Sequence, residues 1–294
     1  MNRNEFHALL QSGTIFLDGA TGSNLRAAGM PAGVNTEAWV LEHPDVLVGL
    51  QRAYAGVGSQ IIYAPTFGAN RQNLSMYGLE EKVADFNHRL VALSRRAADG
   101  RALVAGDITT TGKRVDAGEV CYEELIDVYR NQAENQLDAG VDLFVVETMM
   151  GVTECSAAIE AIRALCDLPI LCTMSLDAVG GAYFDGDAEQ LAQQLPALGA
   201  DAVGVNCGQG PELYESVIAR MRALTDAPLI AKPNAGMPQM QPDGSALYAM
   251  TPTRFAREMR KLQRAGASIL GGCCGTTPEH IRALVEMCGE SIGI

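Results

Sequence analysis

Three cysteines lie where apolar runs end, in contexts that favour metal binding. Cys207 lies in residues 204–208 (GVNCG), and Cys273 and Cys274 lie in residues 271–277 (GGCCGTT). Cysteine thiolates bind zinc at about 2.3 Å, and three of them leave one tetrahedral position open, as in catalytic zinc sites. The sequence therefore predicts a catalytic zinc site. Packing of small buried cysteines, or a strained vicinal disulfide, is the alternative interpretation.

The type of ligand narrows the chemistry of such a site. Three thiolates on Zn²⁺ make a formally anionic centre, which is a poor Lewis acid for producing hydroxide but accepts a soft fourth ligand. A substrate thiol bound there would be deprotonated and would remain nucleophilic at neutral pH without a general base. The ligand set therefore predicts transfer of an alkyl group to sulfur.

Two acidic residues directly follow apolar runs. Asp18 follows residues 15–17 (IFL), and Glu147 follows residues 143–146 (LFVV). Burying either carboxylate without a cation or hydrogen-bond donors would be costly. The two side chains could bind the ammonium group of an amino acid, while backbone amides of the loop that begins at Gly19 could bind its carboxylate. Alternatively, both carboxylates accept backbone hydrogen bonds at the starts of loops.

The other cysteines and the histidines lack contexts of this kind. The remaining cysteines are interpreted as core or surface residues: Cys121, Cys155, Cys166, Cys172 and Cys288. The histidines fall in predicted helices or at helix starts and are interpreted as surface or capping residues: His7, His43, His88 and His280.

Alternating strands and helices must position these residues. Short apolar runs predict strands at 14–17, 60–64, 102–105, 143–147, 170–174, 202–206, 228–232 and 268–272. Apolar positions spaced three and four apart predict helices at 45–56, 83–98, 122–139, 153–166, 188–198, 212–224, 252–265 and 278–288. The pattern predicts an α/β fold, a single (β/α)8 TIM barrel, as one domain over residues 1–294. An open doubly wound sheet is the alternative, because periodicity does not show closure.

The connections indicate which end of the barrel carries the chemistry. Helix-to-strand links are short, whereas strand-to-helix segments such as 19–44 and 233–251 are long. Active sites of barrel enzymes lie at the carboxyl ends of the strands. The sixth and eighth strands are two positions apart, so their ends should lie about 9 to 10 Å apart, which suits a shared zinc ion.

Composition limits the partners and the compartment. The net charge of −13 disfavours binding to nucleic acid or to anionic membranes. The amino terminus lacks the apolar region of a signal peptide, and no apolar run is long enough to span a bilayer, so we expect a cytoplasmic protein. In a reducing compartment, eight cysteines are not a disulfide framework.

The chain resembles the homocysteine S-methyltransferase family over almost its whole length. That family includes the homocysteine module of cobalamin-dependent methionine synthase and betaine:homocysteine methyltransferase. The resemblance rests on LDGATGS at 17–23, PTFGAN at 65–70, VVETM at 145–149, GVNCG at 204–208, PNAG at 233–236 and GGCCGTTPEHI at 271–281. The last of these motifs is highly specific.

The resemblance implies roles for individual residues. It implies zinc on the three cysteines, contacts from Asp18 and Glu147 to the amino group of homocysteine, and occupation of the open zinc position by Asn234 before homocysteine displaces it. The chain is more similar to the synthase module than to the betaine enzyme. No histidine here has the cobalamin-binding context (Asp-x-His-x-x-Gly), so we expect the methyl group to arrive on a separate corrinoid protein.

The predicted function is therefore zinc-dependent methyl transfer to the thiol of homocysteine, giving methionine. Alternative donors are S-methylmethionine, S-adenosylmethionine and betaine, which would need a tight pocket with an aromatic face for the cation. The acceptor could instead be a different thiol or a selenol, or the protein could be a non-catalytic zinc-binding subunit of a corrinoid methyltransferase system. The aromatic candidates in or beside the predicted loops are Trp39, Tyr63, Phe67 and Tyr248.

Overall fold

The computed structural model describes residues 1–241 and 246–289. Its main sheet has eight parallel strands: β1 Ile15–Phe16, β2 Ile61–Tyr63, β3 Leu103–Thr109, β4 Leu143–Met149, β5 Ile170–Met174, β6 Ala202–Cys207, β7 Leu229–Pro233 and β10 Ala267–Leu270. Their order in the sheet is β1, β10, β7, β6, β5, β4, β3, β2. A parallel bridge between Leu17 and Ile61 joins the two outer strands. The predicted (β/α)8 barrel is thereby confirmed, and the open doubly wound sheet is wrong.

Helices surround the barrel and carry the chain from strand to strand. They are α1 Arg3–Gln11, α2 Gly22–Ala27, α3 Thr36–Glu42, α4 Pro44–Gly56, α5 Arg71–Ser75, α6 Val83–Ala98, α7 Tyr122–Asp138, α8 Val152–Arg163, α9 Ala188–Ala197, α10 Glu215–Leu224, α11 Pro252–Arg264 and α12 Pro278–Cys288. The eight predicted helices match α4 and α6 to α12 within a few residues. The helix predicted at 212–224 begins later, because a 3-10 turn, Pro211–Leu213, precedes α10.

Several short elements were not predicted. The segment after β1 contains α2 and α3, the segment after β2 contains α5, and the segment after β7 contains a small antiparallel hairpin, β8 Gln239–Met240 with β9 Ala246–Leu247. Residues 242–245 of that last segment lie outside the described part. Helix α1 has a capping box in which Asn2 and Glu5 satisfy each other's backbone amides, a signal that is visible in the sequence.

The interior of the barrel is filled by alternate residues of the strands. Side chains that share this interior cluster include Ile61 and Tyr63 of β2, Leu143 and Val145 of β4, and Ile230 of β7. Since strand residues two apart face the same side, the next interior positions toward the carboxyl end of β3, β4 and β7 carry charged groups. They are Asp107, Glu147 and Lys232.

The opposite end of the barrel is closed by α1. Phe6 of this helix is fully buried and packs into the same interior cluster. The mouth at the carboxyl ends of the strands is therefore the open end. Within the described residues, no helix has both the length and the hydrophobicity needed to cross a bilayer.

Candidate active site

The three cysteines of the two glycine-rich segments come together at the barrel mouth. Their sulfur atoms all lie within 4.8 Å of one another. The Sγ atoms of Cys207 and Cys274 are 4.0 Å apart. Tetrahedral zinc with bonds of about 2.3 Å to sulfur requires sulfur atoms about 3.8 Å apart. The cluster therefore fits a zinc ion with little adjustment.

The backbone at these cysteines departs from strand geometry. Cys207 ends β6 with a φ of 55°, in the left-handed region that side chains other than glycine seldom adopt. Strand β10 ends at Leu270, before the vicinal pair. The amide of Cys273 donates to the carbonyl of Pro233 at 2.8 Å, and the carbonyl of Cys274 accepts from the amide of Ala235 at 2.9 Å. The end of β7 thus holds both cysteines.

The three thiols lie close enough to shift one another's pKa. Hydrogen bonds from Cys207 and then from Cys273 lower the pKa of the Cys274 thiol to about 3. Hydrogen bonds with Cys273 and Cys274 raise the pKa of the Cys207 thiol. Only the Cys274 thiol thus favours its thiolate form, while the pKa of Cys273 is raised together with that of Cys207. The other candidate ligand, Asn234, is buried, and its Oδ1 has no hydrogen-bond partner in the described parts of the chain.

A cavity of about 280 Å³ adjoins the sulfur cluster. The three cysteines form one of its sides. The residues that line the rest are Asp18, Ala20, Thr21, Gly22, Ser23, Thr36, Glu37, Tyr63, Pro65, Phe67, Asp107, Glu147, Thr148 and Lys232. Four carboxyl groups and a single ammonium group thus face a small space next to the cysteines.

Lys232 lies between the two acidic residues that the sequence singled out. Its Nζ is 3.6 Å from Asp18 Oδ1 and 3.8 Å from Glu147 Oε2, and all three residues are buried. Burial raises the pKa of Asp18 and of Glu147 to about 7 each, although Lys232 opposes the rise. The lysine also stacks on Tyr63, with Nζ 4.7 Å from the ring centroid. Sequence reasoning missed Lys232.

Asp107 is a second cavity residue that sequence reasoning missed. It is buried near the carboxyl end of β3, and burial together with the nearby Glu147 raises its pKa well above the ordinary value. Both missed residues continue an interior row of their strands, Leu103-Ala105-Asp107 and Ile230-Lys232. That alternation could have found them if the inward face of each strand had been known.

Asn206 connects the carboxylates to the sulfur cluster. Its Nδ2 donates to Thr148 Oγ1 at 2.7 Å and to Glu147 Oε2 at 3.3 Å, and lies 3.9 Å from the Sγ of Cys273. Its Oδ1 accepts from the amide of Thr148 at 2.8 Å and from the hydroxyl of Thr173 at 2.8 Å. Thr148 has a φ of 57°, which is strained for a β-branched residue. Asn206 therefore fixes the backbone beside Glu147.

The loop after β1 only partly matches the expected carboxylate site. The amide of Ala20 already donates to Thr276 Oγ1 at 3.0 Å, so it is not free for a substrate. A Cβ at Gly19 would lie 2.6 Å from the hydroxyl of Tyr54, so this position requires glycine. Thr21, Gly22 and the neighbouring Ser23 line the cavity and remain candidates.

Of the four aromatic residues that the sequence offered for binding a cationic donor, only Tyr63 and Phe67 line the cavity. Trp39 is in a separate core cluster and stacks on His43, with ring centroids 4.2 Å apart. Phe67 lines the cavity and is 38% exposed, so it lies at the rim. Tyr248 packs against Gly275, where a Cβ would lie 2.2 Å from the tyrosine ring.

The remaining cysteines and histidines lie away from the site. Cys155 and Cys172 are buried in the core and contact each other, a pairing that the sequence did not show. His280 is buried, completes the capping box of α12 and hydrogen-bonds the carbonyl of Met250 at 2.9 Å. The other histidines are at least partly exposed: His7, His43 and His88.

The fold and the site define a class: an α/β barrel whose mouth combines a cluster of three cysteines that could hold a metal ion with an acidic cavity. Comparison with known families then gives the family itself. The model of the family described as homocysteine S-methyltransferase matches residues 15–288, and the chain belongs to this family. The resemblance found in the sequence is thus confirmed.

Curated relatives are longer than this chain. The chain is 29% identical over 262 residues to methionine synthase of Mycobacterium leprae, covering 84% of this chain and 22% of that protein. It is 29% identical over 284 residues to methionine synthase of Mycobacterium tuberculosis, covering 90% of this chain and 24% of that protein. The chain therefore spans about a quarter of the length of these relatives.

Solved structures of similar extent also match. The oxidized form of the homocysteine methyltransferase MmuM from Escherichia coli superposes with a TM-score of 0.81 at 25% identity, covering 96% of this chain and 98% of that one. The metallated form of MmuM gives a TM-score of 0.79 at 25% identity, covering 95% and 98% of the two chains.

Proposed function

We propose that this protein transfers a methyl group to the sulfur of homocysteine, giving methionine, with zinc held by Cys207, Cys273 and Cys274. The observation that carries the proposal is the cluster of three sulfurs within 4.8 Å beside a small acidic cavity. Membership of the homocysteine S-methyltransferase family supports the reaction, and the metallated form of MmuM supports a metal.

The donor set fits zinc in its chemistry as well as its spacing. Three soft thiolates and one open position suit a substrate sulfur, and bound zinc would keep that sulfur deprotonated and nucleophilic. Asn234 is the protein group proposed to fill the open position before the substrate thiol does. Its Oδ1 is buried and has no hydrogen-bond partner among the described residues, and Asn234 directly follows Pro233, whose carbonyl holds Cys273, which supports this role.

The cavity residues bind and orient the amino acid. Asp18 and Glu147 contact the substrate ammonium, and the amides after Gly19 other than that of Ala20 are available to its carboxylate. Burial away from bulk water strengthens these charge-assisted hydrogen bonds. The sulfur of homocysteine is thereby directed toward the cysteines, where it forms a bond to the methyl carbon as the donor's bond to that carbon breaks.

The methyl donor is proposed to be a methylated corrinoid carried by a separate protein that docks over the barrel mouth. The similarity to the methionine synthases supports this donor. Exposed apolar side chains in the segments after β1, β2 and β7 also support a docking surface: Val34, Phe67, Met237, Met240 and Leu247. A small sulfonium or betaine donor is the second candidate, favoured by the exposed ring of Phe67 at the cavity rim.

A donor screen tests the function. Zinc-loaded protein and homocysteine are mixed separately with methylcobalamin, a methylated corrinoid protein, S-methylmethionine, S-adenosylmethionine and betaine, and methionine is measured. Methionine from the corrinoid donors is the expected result. Turnover with a small donor and none with the corrinoids would reject the donor but keep the reaction. A parallel set of reactions replaces homocysteine by another thiol or a selenol, and faster methylation of that compound would reject the acceptor. Homocysteine binding without turnover with any of these donors would instead favour a non-catalytic subunit.

A further inference from the structure

The carboxyl group of Asp107 has no bonding role in the described structure. The backbone of Asp107 bonds to Thr66 and Gln132, but its side chain makes no hydrogen bond within residues 1–241 and 246–289, and Oδ1 is buried. Asp107 is 4% exposed and lines the cavity. A buried carboxyl group left without a partner is costly, which points to a group that arrives from outside.

The other cavity carboxylates already have partners. Asp18 Oδ2 accepts from the amide of Tyr63 at 2.8 Å, and its other oxygen faces Lys232. Glu147 Oε2 faces the same ammonium and accepts from Asn206. Glu37 accepts from the amide of Gly68 at 2.7 Å. Asp107 differs from all three because its carboxyl group is not engaged.

The charges of the cavity point to the same missing partner. Lys232 is the only cationic side chain among the residues that line the described cavity, and it faces carboxyl groups that outnumber it. A ligand that carries an ammonium group would reduce this excess of negative charge, whereas an anionic ligand without one would increase it. Because Lys232 lies between Asp18 and Glu147, the unengaged acceptor for an incoming cation is on the β3 side of the cavity.

We propose that Asp107 is a third carboxylate that binds the ammonium group of the thiol substrate, and that it makes the site selective for amino-acid thiols over thiols without an amino group. This inference rests on the proposed function. Asp107 acts together with Asp18 and Glu147, which Lys232 holds in place, so that the substrate ammonium binds beside the lysine without displacing it.

Binding of two thiols tests the inference. Calorimetry on zinc-loaded protein compares homocysteine with 4-mercaptobutanoate, which has the same carboxylate and thiol but no ammonium group. Asp107→Asn should bind homocysteine about 10- to 150-fold more weakly than wild type, the range for a lost hydrogen bond to a charged group. Its affinity for 4-mercaptobutanoate should stay the same or increase. Asp107→Ala provides the same measurement if the Asn variant does not fold.

The control is Asp45→Asn, which removes one negative charge at a side chain that is 96% exposed and should leave both affinities unchanged. Equal losses for the two thiols in the Asp107 variants would mean a structural role and would overturn the inference. Unchanged homocysteine binding in those variants would overturn it as well, while the proposed function would stand. A wild-type protein that binds no homocysteine would reject the proposed function and this inference together.

Discussion

Buried acidic side chains have many close partners at the amino ends of the barrel strands and few at the carboxyl ends. At the amino end, Asp201 accepts from Arg3 at 2.6 Å, from Arg163 at 2.7 Å and from the amide of Ile170 at 2.9 Å. At the carboxyl end, Asp18 and Glu147 share one lysine at distances beyond 3.5 Å. The first carboxylate is fully compensated by the fold, and the others are not.

The number of partners indicates whether a buried carboxylate stabilises the fold or is available to a ligand. A compensated buried carboxylate keeps the strands and helices at the amino end together, where no ligand is expected. Burial raises the pKa of a carboxylate that has too few partners, and such a carboxylate can still bind a cationic ligand. The same residue type therefore serves two purposes, and the environment decides which.

The largest expected effect concerns the sulfur cluster. Replacing Cys207, Cys273 or Cys274 by Ala should remove zinc and methyl transfer together, because catalytic zinc is held by three protein ligands and only two would remain. Metal analysis and a methionine assay measure both. Cys172→Ala, in the barrel wall, should keep zinc. A metal-free preparation with full activity would disprove the zinc assignment.

At the amino ends of the barrel strands, replacing Asp201 should change only the stability of the fold. Asp201→Ala leaves Arg163, which is itself half-buried, without its carboxylate and should lower the free energy of unfolding by about 3 to 5 kcal/mol. Urea denaturation measures the loss, and the affinity of the folded variant for homocysteine should not change. A variant of wild-type stability with weakened homocysteine binding would remove the distinction between the two ends.

At the carboxyl ends of the strands, the buried Asp18 should make the stability of the fold depend on pH. Burial raises the pKa of Asp18 from 3.8 to about 7, so this group binds its proton more tightly in the folded chain than in the unfolded one. Its contribution to stability is complete below about pH 4 and is lost as the pH rises to about 7. As the pH rises from about 4 to above 7, Asp18→Asn should gain stability relative to wild type, by at most about 4 kcal/mol.

Denaturation at several pH values checks this sign. Asp45→Asn, an exposed change of the same chemistry, should follow wild type at every pH. If Asp18→Asn instead lost stability relative to wild type as the pH rose, the Asp18 carboxylate would be well compensated by Lys232, and the two ends of the barrel would be alike.

The smallest expected effect is on the affinity for substrate. Asp18→Asn and Glu147→Gln should each cost about 1.5 to 3 kcal/mol of homocysteine binding while zinc is retained, because each loses a charge-assisted hydrogen bond. The matched control is Glu154→Gln, since Glu154 is also buried but is fully bonded, to Thr110, Thr111 and Tyr129. This control should lose stability and keep its affinity, and normal homocysteine binding by both mouth variants would refute the ammonium assignment.

Much of the molecule was predictable from local sequence. Each of the eight barrel strands contains a short apolar run, so the strand positions were predicted to within a few residues. The glycine-flanked cysteines and the acids after β1 and within β4 were found because polar residues at the ends of apolar runs are conspicuous. The short helices α2, α3 and α5 were missed because elements of so few residues show little periodicity.

Asp107 and Lys232 show what the sequence alone did not determine. Strands of a parallel barrel are buried on both faces, so their apolar runs do not reveal which alternate residues point inward. Closure of the barrel decides this and places Asp107, Glu147 and Lys232 around one cavity at the mouth. The sequence determined which residue types stand at the strand ends. Only the tertiary structure decided that one lysine would be shared by several acids, because that depends on which strand ends face each other across the barrel.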